Sequence, residues 1–122
     1  MERERDVEKY LRRNLTAMDC LFLKWVCPGE DGVPDRILIM PGGQVCFVEV
    51  KTATGQMTGL QRMWQMKLRK MECGAVTVYG MTGAKELIEV VKAMLKVKEV
   101  MPDEVHPARV PDPGDREGDQ PG

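Results

Sequence analysis

"GVPDRILIMPGGQVCFVEVKT" (residues 32–52) decides the fold. Two apolar runs, "RILIM" and "VCFVEVKT", flank "PGGQ", a turn whose glycines supply the positive backbone angles a tight hairpin needs. Both runs are apolar at consecutive positions, so they read as central strands of a sheet covered on both sides. Centring the turn on Gly42-Gly43 sets Arg36 opposite Glu49 and Asp35 beside Glu49 to Lys51. Because side chains alternate along a strand, Glu49 and Lys51 leave one face together while Val48 and Val50 leave the other. Two carboxylates and an ammonium thus meet at one end of an otherwise apolar sheet.

Outward from the hairpin, residues 3–18 carry Val7, Tyr10, Leu11, Leu15 and Met18 at helical spacing among charges. "CLFLKWV" (20–26) reads as a strand ended by Pro28-Gly29. After the hairpin, Thr58 is an N-cap for a second helix to about Glu72, with Gly74 as its stop. Its stripe Leu60, Trp64, Leu68 and Met71 reads as core. "AVTVYG" is a further strand and 83–100 a third helix. The order α-β-β-β-α-β-α makes an α/β fold: a mixed four-stranded sheet flanked by helices.

The chain has 122 residues, 43% of them hydrophobic, enough for one domain without disulfides or a structural metal. Its net charge of -1 hides a division: 1–101 carries +3 and 102–122 carries -4. The latter stretch holds five of the eight prolines and His106, and reads as an acidic, Pro/Gly-rich disordered tail behind a domain at 1–101. Cys20, Cys27, Cys46 and Cys73 form no C-x-x-C pair and fit reduced thiols in a cytoplasmic protein. The opening "MERERDVEKY" lacks the features of a signal or transit peptide, and no run is apolar enough for a membrane.

Like charges buried together are costly unless a cation neutralises them. Mg²⁺ or Mn²⁺ suits Asp35 and Glu49 with the backbone carbonyl of Val50. Lys51 would then orient or deprotonate an attacking water and stabilise charge developing on a phosphate, a centre for phosphodiester hydrolysis. The alternative is a structural ion cluster at the strand ends.

Pro34-Asp35 followed at hairpin distance by Glu49-Val50-Lys51 resembles the core of the PD-(D/E)xK nuclease superfamily. With Gly32-Val33-Pro34-Asp35-Arg36, the "PGGQV" turn, "FVEVK" and Gln61 on the next helix, residues 4–95 resemble the VRR-NUC domain, the virus-type replication-repair nuclease. The resemblance implies a restriction-endonuclease-like core, metal held by Asp35 and Glu49, the Val50 carbonyl as a further ligand, and Lys51 as the catalytic lysine. It also implies that Gln61 positions water, Lys51 or substrate, and that a glutamate of the first helix completes the metal site. Glu8 matches that glutamate best, with Glu4 one turn earlier as its rival.

The expected activity is a metal-dependent DNA endonuclease, selective for junctions, flaps or other branched DNA because no base-reading element is present. A symmetric homodimer would present two sites. Arg36, Arg62 and Lys9 are the expected DNA contacts. Trp25 reads as sheet packing, with base stacking as the alternative. The resemblance favours a phage or prophage role in a bacterial cytoplasm. The competing function is a non-catalytic nucleic-acid-binding or partner-docking module on the same fold.

Overall fold

The computed structural model describes residues 2–105, and side chains over 2–96. Seven elements follow in the expected order: α1 (Glu4–Ala17), β1 (Leu21–Lys24), β2 (Arg36–Ile39), β3 (Val45–Lys51), α2 (Gly59–Lys70), β4 (Gly74–Tyr79) and α3 (Gly80–Val105). The sheet order is β1-β2-β3-β4, antiparallel twice and then parallel, so the sheet is mixed. A parallel return needs a crossover, and α2 supplies it.

α1 buries Val7, Leu11 and Leu15 completely, one residue per turn along a single stripe. Against them lie Phe22, Leu38, Val48 and Val50 of the sheet and Ala84, Ile88 and Val91 of α3. α1 ends where Asp19 turns left-handed at φ 63, and the Cys20 and Asp19 N–H groups donate to Leu15 and Thr16 carbonyls, both at 3.0 Å. This paired closure satisfies carbonyls that the helix end would otherwise leave open.

The hairpin register differs from the expected one by a residue. Met40 and Gln44 close the loop, with the Met40 N–H donating to the Gln44 carbonyl at 2.8 Å, so Pro41, Gly42 and Gly43 all belong to the turn. Arg36 therefore faces Val48 and Ile37 faces Phe47. Arg36 shares the buried face with Val48, and the same count sets Asp35 across from Glu49.

α2 departs from its expected packing. Its buried residue is Gln65, whereas Leu60 and Met71 are exposed and Trp64 is half-buried. β4 is an edge strand whose outward carbonyls need donors, and α2 provides them. Gln65 Nε2 donates to the Val76 carbonyl at 3.4 Å, and Arg69 Nε and Nη2 donate to the Ala75 carbonyl at 3.1 and 2.9 Å. The helix ends at Lys70, and the left-handed residue that follows it is Glu72, at φ 64, and not Gly74, which opens β4. Gly74 has a different reason: a Cβ there would lie 3.3 Å from the Val45 carbonyl oxygen, where β4 joins β3.

Because α2 sits over β3 and β4, it leaves the same face of β1 and β2 partly open, contrary to the two-sided cover expected. Leu21, Leu23 and Val45 are exposed there and Ile37 and Phe47 half-buried. α3 continues through residues 102–105, four residues into the stretch read as tail. The rest of that stretch, with His106, lies outside the described residues.

Candidate active site

Asp35 stands at the mouth of β2, its carbonyl accepting the Trp25 N–H at 2.9 Å, which extends the β1–β2 ladder by one rung. The loop that delivers it is fastened to α2. Trp64 Nε1 donates to the Asp31 carbonyl at 3.0 Å, and Gly32, at φ +90, lies so close that a Cβ would meet Leu60 Cβ at 2.7 Å. Pro34 is fully buried beside Asp35. Glu49, Val50 and Lys51 end β3, with Glu49 and Val50 buried and Lys51 half-buried.

α1 brings its carboxylates to the same place. Glu4, Glu8 and Asp35 each offer an oxygen within 4.8 Å of the others, so Glu4 and Glu8 stand together at the site. One turn separates them, which puts both on one helix face. Glu49 adjoins this group. Burial chiefly, and then the Asp35 charge, push its carboxyl from an ordinary 4.5 up to about 7; Lys51 opposes the rise, and Glu4 and Glu8 add to it. Burial also raises Asp35, opposed by Arg36 and reinforced by Glu8. Glu4 is raised by burial first and by Asp35 and Glu8 next. Four acids thus share one end of the sheet at a cost that a cation would relieve. Among the described residues Asp35 Oδ1 is buried without a hydrogen-bond partner. Hard oxygen donors at this spacing, one of them unpartnered, fit a divalent cation.

Arg36 is not the open DNA contact expected. The register correction turns it onto the α1 face, where its Nη2 lies 3.0 Å from Glu8 Oε1 and its side chain is only 12% exposed. It braces Glu8 against the sheet. Lys9 and Arg62 are exposed, Lys9 on α1 and Arg62 on the outer face of α2 beside Met63 and Met66. Trp25 packs on Phe47, ring centroids 4.8 Å apart, as sheet packing requires.

Gln61 is joined to the site through the start of α2. Thr58 Oγ1 accepts the Gln61 N–H at 3.1 Å, and Gln61 Oε1 accepts the Thr58 N–H at 2.9 Å. With its oxygen fixed by a backbone donor, the amide presents Nε2 to Glu49 Oε2 at 3.2 Å. The sequence signal for this was Thr58-x-x-Gln61, the capping-box pattern, in which the third helical residue reaches back to the cap.

No protein-family model matches the chain. A solved structure described as a "VRR_NUC domain" superposes with a TM-score of 0.68 at 29% identity, over 73% of this chain and 97% of that one. A curated relative, "Putative nuclease p44" of Acyrthosiphon pisum secondary endosymbiont phage 1, is 41% identical over 49 residues, 40% of this chain. The chain spans about half the length of that relative, 53%. The described residues share the fold of that VRR_NUC domain, α/β with the element order read from the sequence.

Proposed function

For a domain of this type we propose a metal-dependent deoxyribonuclease, an endonuclease that hydrolyses phosphodiester bonds in branched or otherwise non-B DNA. The observation that carries the reading is the convergence of Asp35, Glu49 and Lys51 with Glu4 and Glu8 of α1 at one sheet end. The fold match, and the word "nuclease" in the name of the phage relative, support it.

Glu4, Glu8, Asp35 and Glu49 would hold Mg²⁺ or Mn²⁺, with the Val50 carbonyl as a further donor. Bound there, such an ion would keep the carboxylates ionised and would supply Lewis-acid activation of water and phosphate. Lys51, half-buried at the end of β3, orients the attacking water and takes up negative charge as it develops on phosphorus-bound oxygens. Gln61 holds the Glu49 carboxylate in one orientation. The water oxygen bonds to phosphorus and releases a proton to solvent, one bridging P–O bond breaks, and the leaving oxygen takes a proton from solvent.

Branched DNA fits the lack of a base-reading element among the described residues, and a two-fold pair of chains would present two sites to the two strands of a junction. No helix among the described residues is long and apolar enough to cross a membrane. The test is cleavage of labelled four-way junction, flap, single-stranded and linear duplex DNA in Mg²⁺ or Mn²⁺. Cutting strongest on a branched substrate supports the reading; equal cutting of all four removes the structure selectivity, and binding without cutting favours the docking module.

A further inference from the structure

We propose that the cleft beside the N-terminal half of α1 is the track for the phosphate backbone of the DNA strand to be cut, gripped by Arg5, Lys9 and Arg12. This rests on the nuclease reading and extends it to substrate binding. The cleft measures about 360 Å³ and has Phe22 and Arg36 at its sheet side. Arg5, Lys9 and Arg12 are exposed and succeed one another at four and three residues, so they form one stripe. At 1.5 Å per residue they stand about 6 and about 4.5 Å apart along the axis, close enough to engage successive phosphates of one strand.

The charge accounting of the cleft leaves these three free. Asp6 is committed to Arg3 at 3.7 Å, and Glu8 to Arg36 at 3.0 Å. Among the described residues no carboxylate pairs with Arg5, Lys9 or Arg12. Three uncompensated cations therefore line a groove, where a solvated helix face more commonly interleaves its charges. Glu8 ties the groove to the chemistry, since it lines the cleft and also belongs to the carboxylate group with Glu4 and Asp35. A strand lying along the stripe runs directly onto the acids. Neighbouring stripes of opposite sign on one helix divide the work: Glu4 and Glu8 face the cation site, and the stripe next to them faces the polyanion.

The test is the salt dependence of binding to a fluorescent single-stranded oligonucleotide in EDTA, where cleavage is off. Wild type is compared with the triple variant Arg5→Gln, Lys9→Gln, Arg12→Gln, and with a control of equal charge change on α3, Lys85→Gln, Lys92→Gln, Lys96→Gln. All six positions are exposed, so the fold should be retained. Each phosphate contact contributes about 0.7 to the slope of log affinity against log salt for a single strand. The α1 variant should lose about 2 from that slope, and in Mg²⁺ its KM should rise with little change in kcat; the control should match wild type. A slope unchanged in the α1 variant, or lowered equally in both, would overturn the track while leaving the nuclease reading intact if wild type still cuts. An α1 variant that loses slope as expected, beside a wild type that cuts nothing, would instead overturn the nuclease reading.

Discussion

Gln61 Nε2 reaches Glu49 Oε2 at 3.2 Å from an amide whose oxygen is already tied to the Thr58 N–H at 2.9 Å. One side chain therefore caps α2 and orients a carboxylate twelve residues away in sequence. Gln61→Ala should lower stability by about 1 kcal/mol, the usual cost of losing a cap interaction, and lower kcat more than KM. Gln61→Glu keeps the capping box but sets a second acid against Glu49. It should hold its melting temperature in Mn²⁺ and still lose activity, which a purely structural role for Gln61 does not allow. Thermal denaturation and steady-state kinetics on the two variants check this.

The crowding of acids makes the metal-free protein sensitive to pH. The folded Glu49 carboxyl lies at about 7 against an ordinary 4.5, so the folded state binds the extra proton between those values. Stability from this group is complete below the lower value and is lost as pH rises through the upper one. Asp35 and Glu4 are raised in the same sense. The melting temperature in EDTA should therefore fall from about pH 5 to about pH 8. Mn²⁺ at a concentration about a hundred times its dissociation constant at pH 8 should add about 2.7 kcal/mol there, and the same concentration should add less at pH 5, where protons compete for the acids. Glu49→Gln should flatten the EDTA profile and end catalysis.

Breaking the Arg36–Glu8 pair leaves a mostly buried glutamate beside two other acids. Arg36→Ala should cost about 3 kcal/mol in urea denaturation. Arg36→Lys should recover little, since an ammonium cannot reproduce the planar guanidinium at this site.

Gly32 holds the Asp35 loop against α2 at a φ of +90, with no room for a Cβ. Gly32→Ala should destabilise by about 1–3 kcal/mol and lower activity by displacing Asp35. Trimming Leu60 to alanine should not restore either, because its backbone carbon also lies within 2.8 Å of the added atom.

The element order, the glycine turn and the grouping of Asp35, Glu49 and Lys51 were legible in the sequence because local signals carry them: strand composition, turn glycines and alternation. The hairpin register was not, since Pro41 could be counted with the strand or with the turn, and only the Met40–Gln44 bond decides. That one residue moved Arg36 from presumed DNA contact to brace. The packing face of α2 was hidden for another reason. Its apolar stripe matched a core helix, but the helix meets an edge strand, and the Ala75 and Val76 carbonyls are answered by Gln65 and Arg69. Nor could helical spacing choose between Glu4 and Glu8, which share a face and both reach Asp35.

The most direct test of the central claim pairs Mn²⁺ binding with cleavage in Lys51→Ala and Asp35→Ala. With Lys51 removed, calorimetry should still find the metal while cutting of branched DNA disappears; with Asp35 removed, metal affinity and cutting should fall together. A Lys51→Ala protein that cuts at the wild-type rate, or a wild type that neither binds Mn²⁺ nor cuts, would contradict the account and leave the acids as an ion cluster at the end of a sheet.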